Sequence, residues 1–298
     1  MKMNALYRVT GTSRQAFHQY LDKQMLILDE QQQLLPIISQ IRADHPRLSV
    51  RRMYGMLHPQ SMGRDRFEQF CYLYGFKLAV KRAYHRTTDS LGVTRFENLI
   101  SAGELTGINQ VWASDITYYR IGERFYYITF ILDLFSRFIV GYTVSTGLLT
   151  EQTTIPALNM ALKLRQPCPG LIFHSDGGGQ YYCKAFLAIT KSNQIKNSMC
   201  ESVYENAHAE RINGTVKNDY LVYYSPQDYT QLITLTDKAV NMYNFYRPHS
   251  SLGNNSPYEY ELSTKSTGIK KEKRSKKEKN CGNMENSIEF TTFPQLQQ

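Results

Sequence analysis

Runs of β-branched and aromatic residues dominate the middle of the chain. Three such runs follow one another at residues 112–121, 124–135 and 138–146, joined by short connections around Gly122 and at Ser136–Arg137. β-Strands are rich in these residue types, and strands joined by short connections usually pair antiparallel. The pattern therefore predicts a three-stranded antiparallel meander.

Helical and strand-like segments alternate after the meander. They are a helix over 150–164, a short buried strand over 171–176, a helix over about 183–193, a short strand over 195–199, and a helix from about 205 to 221. Three antiparallel strands followed by alternating helices and strands indicate an α/β fold. We predict a mixed five-stranded sheet with helices on both sides.

The first part of the chain has apolar positions at helical spacing. In residues 1–33 a turn at Gly11–Thr12 separates two such stretches, and Ser13 is a suitable N-cap for the second. This order is typical of a helix-turn-helix segment, in which Arg14 would lie on the DNA-contacting helix. A helical hairpin that only packs fits the pattern equally well.

Residues 34–108 predict a second helical module and a linker. His45–Pro46 divides its apolar pattern into two helices, and Arg51 and Arg52 lie in a basic cluster close to that break. A charge cluster is usually a solvated face. The density of arginine near short helices nevertheless favours contact with the DNA backbone.

The charge of the chain agrees with a polyanionic partner. Thirty-five lysines and arginines against 26 acidic residues give a formal charge of +9, and neutralising phosphates releases condensed counterions. Residues 265–298 begin with a basic, low-complexity stretch and predict a disordered tail able to touch DNA nonspecifically.

Other compositional features exclude several classes of protein. Five scattered cysteines without CxxC spacing indicate neither a disulfide framework nor a zinc site. The start has no apolar core of a signal peptide, and the longest apolar stretch is too short to cross a bilayer. We therefore expect a cytoplasmic protein without a membrane partner.

Candidate chemistry is carried by three acidic residues in different predicted elements. Asp115 lies inside the first strand, where an ionised carboxylate is costly unless it is paired or binds a metal. Asp176 ends the buried strand and precedes three glycines, which allow close approach of a ligand. Glu210 lies in the last predicted helix. The polar residues spaced to share its helical face are Asn206, Asn213 and Lys217.

Three carboxylates from two strands and a helix suit a pair of hard divalent cations. Two such ions about 3.5–4 Å apart activate an attacking oxygen and stabilise the leaving one in phosphoryl transfer. A single acidic residue is weak evidence, since most strand aspartates are structural. Asp133, just before the Ser136–Arg137 turn, is interpreted in that way, as a group that bonds locally or pairs with Arg137.

Five segments in order resemble the OrfB-type transposases of bacterial insertion sequences. They are WASDITYY, FILDLFSRFIVGY, HSDGGGQY, ENAHAERINGTVKNDYL and NFYRPHSSLGNNSPYEY. The resemblance is strong over 109–262 and looser over 1–108. It implies a catalytic domain over 109–264 that is similar to retroviral integrase, with a ribonuclease-H-like fold, preceded by a helical DNA-binding region.

The resemblance also implies an activity and its residues. Asp115, Asp176 and Glu210 match the family's DDE metal ligands, for which Mg²⁺ or Mn²⁺ is expected, with two ions per site. Lys217 matches a basic residue that contacts DNA near the scissile end. The implied reaction is metal-dependent cleavage at the element's ends and transfer of the freed 3′-hydroxyl into target DNA, by a multimer holding two ends on the nucleoid. For the Tyr246–His249 segment, which matches a family signature, we predict only that it positions a helix.

The chain departs from the family in two places and leaves rival functions open. Thirty-three residues separate Asp176 from Glu210, slightly fewer than usual, and Glu205 stands where an aspartate is common. Shortening a loop by a few residues changes its closure free energy only slightly. No long leucine zipper is evident, and in the family that segment comes from an upstream frame, which predicts an OrfA-like partner. The alternatives are a ribonuclease-H-like nuclease that only cuts, and a catalytically silent DNA-binding regulator of transposition.

Overall fold

A computed structural model describes most of the chain. The described residues are 7, 11–78, 96–100, 105–199 and 207–264. The chain divides into two compact units, Met1–Glu261 and Leu262–Gln298, and the first contains the elements that position the site. Asn206 and the predicted tail over 265–298 lie outside the described residues, as does most of the first predicted helix.

The amino-terminal region contains one long helix and two short ones. Helix α1 (Arg14–Asp44) begins where predicted, since the Ala16 N–H donates to the Ser13 hydroxyl at 3.1 Å. Helices α2 (Val50–Leu57) and α3 (Arg64–Leu73) follow the predicted break at His45–Pro46. No helix among these described residues is both long and apolar enough to cross a membrane.

The predicted boundary between residues 33 and 34 is corrected, because it falls inside α1. Pro36 lies within the helix without ending it. Ile27, Leu34 and Ile38 pack into one apolar cluster with the residues of α2 and α3. This shared core extends α1 across the position at which two modules were predicted to meet.

The five predicted strands form one mixed sheet. Its strands are β1 (Val111–Ile121), β2 (Arg124–Asp133), β3 (Ile139–Ser145), β4 (Ile172–Ser175) and β5 (Lys196–Met199). Their order across the sheet is β3-β2-β1-β4-β5, which makes β1 the central strand. The β1–β2 and β2–β3 pairs are antiparallel, whereas β1–β4 and β4–β5 are parallel. The structure thus confirms both the meander and the mixed sheet.

Helices cover both faces of the sheet. These elements are α4 (Thr154–Arg165), α5 (Lys184–Ser192), α6 (Ala207–Thr215), α7 (Val222–Tyr224) and α8 (Tyr229–Asn241), followed within the first unit by helical residues 257–261. Side chains of β1 alternate between the two faces. Ala113 packs in a core with α6 and α8, and Trp112 packs in a core with α4 and α5.

Two helices contain π-helical turns. Val216–Leu221 joins α6 to α7 without a break, and Met242–Tyr246 extends α8. Such turns hold one more residue than an α-helical turn and often occur at functional sites. Short 3-10 turns are formed by Gly179–Tyr181 and Ser250–Leu252.

A buried polar contact joins the amino-terminal helices to the first π-helical turn. His45 Nδ1 lies 2.8 Å from the Tyr220 hydroxyl. Arg247 donates to the same hydroxyl at 3.4 Å and to Asp219 Oδ2 at 2.6 Å. The signature segment around Arg247 therefore does hold a helix in position, as its sequence predicts.

Acidification is expected to weaken this contact. Burial first, and then the charge of Arg247, lowers the pKa of His45 from 6.5 to about 4. Between these pH values the unfolded chain binds more protons than the folded one, so the stabilisation is complete above about pH 6.5 and is lost towards pH 4. The loss amounts to at most roughly 3 kcal/mol, since each pKa unit corresponds to about 1.4 kcal/mol.

Urea unfolding between pH 7 and 4.5 measures this effect. The free energy of unfolding should fall less steeply for His45→Gln than for the wild type. His18→Gln, which changes an exposed histidine on α1, should follow the wild type. Parallel pH profiles for all three proteins would show that His45 does not carry the dependence.

Candidate active site

Asp115 and Asp176 lie close together where the short strand β4 ends beside the central strand β1. Strands β1 and β4 are parallel, and Ser114 is opposite Ser175 in their register. Asp115 is the next residue of β1, and Asp176 directly follows the end of β4. The carboxyl ends of adjoining parallel strands are a common place for ligands in α/β folds.

Hydrogen bonds hold each of these carboxylates. Asp115 Oδ1 accepts the Ile116 N–H at 2.9 Å, and its Oδ2 accepts the side-chain amide of Asn213 at 2.7 Å. Asp176 Oδ1 accepts the Gly178 N–H at 3.1 Å. A Cβ on Gly178 would lie only 3.0 Å from that same oxygen, so this glycine allows the close approach.

The negative charges of Asp176 and Glu210 act on the carboxyl group of Asp115. Burial first, then the charge of Asp176 and more weakly that of Glu210, raises the pKa of Asp115 to about 7, against the hydrogen bonds from Ile116 and Asn213. Burial also raises the pKa of Asp176. Neighbouring carboxylates disfavour each other's ionised form, and a bound cation reverses that effect.

The donor chemistry of this site fits a hard divalent cation. Carboxylate and amide oxygens are the ligands such ions prefer, and Asn213 Oδ1 is buried without a hydrogen bond to any described residue. Glu210 is exposed in the first turn of α6. As these side chains stand, no three His, Cys, Asp or Glu among the described residues form a metal-holding group. Asp115 and Asp176 are thus held by hydrogen bonds within the fold, whereas the Glu210 side chain is exposed.

Helix α6 and the turn after it face β1 along the predicted polar stripe. Asn213 is bonded to Asp115, and Glu210 is near enough to act on its pKa. Lys217 is half-buried, with Nζ 4.8 Å from the centroid of the Tyr118 ring on β1. Burial lowers the pKa of Lys217.

The arginines predicted to contact DNA lie in two different environments. Arg14 and Arg51 are exposed on α1 and α2. Arg52 is half-buried and near the charges of Arg247 and Asp219. Adjacent residues of one helix therefore point to different surroundings.

Asp133 is structural, as predicted. It is fully buried, and it accepts the backbone N–H groups of Asn109, Phe135 and Ser136 at 2.6–3.0 Å. These local bonds close the turn after β2. The hydrogen bonds of its carboxylate therefore go mainly to backbone N–H groups of the fold.

Comparisons with known proteins agree with this geometry. Two family profiles, each described as an integrase core domain, match residues 106–203 and 192–257. An insertion element IS600 protein of Shigella sonnei, named as an uncharacterized 31 kDa protein, is 31% identical over 268 residues, covering 84% of this chain and 95% of that protein. The transposase InsF for insertion sequence IS3A of Escherichia coli is 32% identical over 175 residues, covering 57% of this chain and 60% of InsF.

The chain belongs to the insertion-sequence transposases with an integrase-type catalytic core. The resemblance found in its motifs is thereby confirmed, as is its assignment as a DNA transposase. Among solved structures, the catalytic core domain of HTLV-2 integrase, a dimeric form in complex with magnesium, aligns with 52% of the transposase and 98% of its own chain, at a TM-score of 0.43 and 22% identity.

One feature of the transposase site was not foreseen in the sequence. Asn213 was expected to position DNA, whereas its amide holds Asp115 and its side chain is buried. Its spacing from Glu210 indicated that the two residues share a helical face. Spacing alone does not show which atom the Asn213 side chain contacts. His174, beside Asp176, is buried with Nδ1 3.0 Å from the Ser198 hydroxyl on β5.

Proposed function

We propose that the transposase cleaves a phosphodiester at each end of its element and joins the freed 3′-hydroxyl to target DNA at one site formed by Asp115, Asp176 and Glu210. The placement of Asp115 inside β1 next to Asp176 at the end of the adjoining strand β4, with the Glu210 charge acting on Asp115, is the observation that supports it. Both steps are phosphoryl transfers, so one arrangement of carboxylates serves both.

These residues are proposed to hold two divalent cations, Mg²⁺ or Mn²⁺. Bound there, such ions activate the attacking oxygen and neutralise charge on the leaving one. Asp115, on the central strand, would be one of the residues that hold them, together with Asp176 and Glu210. The side-chain amide of Asn213 orients Asp115 by donating to its Oδ2, and the Gly178 N–H orients Asp176 by donating to its Oδ1.

Lys217, Arg14, Arg51 and Arg52 are proposed to contact DNA, together with Asn206. Lys217 supports this best, because it lies one helical turn beyond Asn213 on the side that faces β1. Lys217→Gln is expected to weaken duplex binding and to lower the slope of log affinity against log salt by about one. Lys191→Gln, a change to an exposed lysine on α5, serves as the control. Equal slopes for the two variants would remove Lys217 from the interface.

Two element ends must be brought together, so we propose that the transposase acts as a homo-multimer on nucleoid DNA in the cytoplasm. An OrfA-like product of an upstream frame is a further proposed partner. The resemblance to OrfB-type transposases supports that proposal.

A strand-transfer assay tests the proposed reaction. Purified transposase is incubated with labelled element-end DNA, a plasmid target and Mg²⁺ or Mn²⁺, with and without the upstream-frame product. Joined products are expected. Cleavage without joining would instead identify a nuclease, and tight binding without chemistry under every condition would identify a regulator.

A further inference from the structure

A polar cavity lies on the side of helix α6 opposite Asp115. Its volume is about 140 Å³, and the α6 residues that line it include Arg211 and Thr215. Asn213 and Lys217 point towards β1 from the other side, as expected for a helix of about 3.6 residues per turn. One helix therefore separates the acidic site from this cavity.

The cavity is lined by basic residues from distant parts of the chain. Helix α2, the turn between β2 and β3, helix α6 and the segment after α8 each contribute one or more of them. These basic residues include Arg52, Arg137, Arg211, Arg247 and His249.

Little negative charge balances these cations. Arg247 is bonded to Asp219 at 2.6 Å. Arg52, Arg137 and Arg211 have no carboxylate within ion-pair distance among the residues that the structure describes. Guanidinium groups gathered in a partly buried space repel one another, and burying such charge is unfavourable unless an opposite charge joins it.

Hydrogen-bonding groups at the cavity also lack partners. Arg137 Nη1, the Tyr243 hydroxyl and His249 Nε2 are all buried without a hydrogen bond in the described part of the molecule. Tyr243 is fully buried. Buried polar groups are nearly always paired, so three together at one cavity indicate a ligand that accepts or shares hydrogen bonds.

The electrostatic potential inside the cavity is positive. Burial first, and then the charges of Arg247, Arg52 and Arg137, lowers the pKa of His249 to about 3. Burial, followed by the charges of Arg137 and Arg211, also lowers the pKa of His208. The His249 ring is thus neutral at pH 7, which leaves the guanidinium groups as the source of positive charge.

We propose that this cavity binds one tetrahedral oxyanion of the phosphate class, either a backbone phosphate of nucleic acid or free phosphate. Arginine forks suit phosphate oxygens because they donate two parallel hydrogen bonds. The volume equals that of four or five water molecules at about 30 Å³ each. Arg211, His208 and Ser251 are exposed, so the cavity is open to solvent. This site does not depend on the metal-binding carboxylates.

Arg211→Gln tests the proposal with little risk to folding. Arg211 is exposed and forms no ion pair with any described residue. Arg124→Gln, at the exposed start of β2, is the matched control. Both variants and the wild type are measured without divalent cation, so the outcome is independent of the proposed strand-transfer reaction.

Two measurements distinguish the sources of the anion. In the first, the unfolding temperature is followed as inorganic phosphate replaces chloride at constant ionic strength. In the second, the salt dependence of binding to a short DNA duplex is measured. Phosphate that stabilises the wild type and Arg124→Gln, with at least about tenfold weaker affinity for Arg211→Gln, assigns free phosphate.

A salt slope about one unit lower for Arg211→Gln than for Arg124→Gln, without stabilisation by free phosphate, assigns a DNA phosphate. Both effects together assign a site that accepts either source. If Arg211→Gln matches Arg124→Gln in both measurements, the proposal is overturned.

Discussion

Replacing Asp176 with asparagine is expected to abolish both cleavage and strand transfer. The amide keeps the shape of the side chain but cannot supply the negative charge that we propose to hold a divalent cation beside Asp115. Loss of metal-assisted charge stabilisation on the order of 4 kcal/mol lowers the rate about a thousandfold. The measurement is the yield of joined product against time, with saturating Mg²⁺.

The fold should survive this change. Burial raises the pKa of Asp176, so its charged form is already disfavoured in the folded protein, and the variant should unfold at the same urea concentration or a higher one. Asp65→Asn, which alters an exposed aspartate on α3, is the control and should retain full activity. Joining by Asp176→Asn at the control rate would place the chemistry elsewhere.

Replacing Gly141 with alanine is expected to destabilise the catalytic domain by about 3 kcal/mol or more. A Cβ at this position of β3 would overlap the carbonyl oxygen of Ala157 and lie 2.9 Å from the Cβ of Ala161, both on α4. Overpacking usually costs about 1–3 kcal/mol, and a clash with backbone leaves no side chain free to move aside. Urea unfolding followed by circular dichroism measures the loss.

Gly55→Ala is the matched control. Gly55 lies within α2, and its nearest neighbour would be the flexible side chain of Asn254 at 3.4 Å. Alanine in a helix is favoured over glycine by about 0.5–1 kcal/mol, so this variant should be as stable as the wild type or slightly more so. Equal stability of the Gly141 and Gly55 variants would show that α4 does not pack so closely on the sheet.

Local patterns were sufficient to predict the sheet. Residues 112–121 alternate between two faces, and the structure places Ala113 and Trp112 in separate cores. The continuation of α1 past residue 33 was missed, because it depends on the packing of Leu34 and Ile38 against helices later in the chain. Pro36 lies inside this helix, and local sequence does not show which contacts allow the helix to continue past it.

The candidate site was predictable only in part. Asp115 and Asp176 were predicted from their places in the strands. Asp115 lies inside a strand, where an unpaired ionised carboxylate is unfavourable, and Asp176 ends a buried strand. The cationic cavity was not found, since Arg52, Arg137 and Arg211 come from three distant segments and only the tertiary fold brings them together. Likewise, the segment around Arg247 matched a signature, but its contacts with Asp219 and Tyr220 become visible only in three dimensions.

The π-helical turn at Val216–Leu221 makes the length of this segment matter as well as its composition. Because a π-helical turn holds one more residue than an α-helical turn, removing one residue would allow an ordinary α-helical turn to form with little rotation of the residues after it, whereas adding one residue would rotate them by about 100°. Asn213, before the turn, would still reach Asp115. An insertion ahead of Tyr220 would turn its hydroxyl away from His45 and break their contact, so this link to the amino-terminal helices should tolerate a one-residue deletion in the turn better than a one-residue insertion.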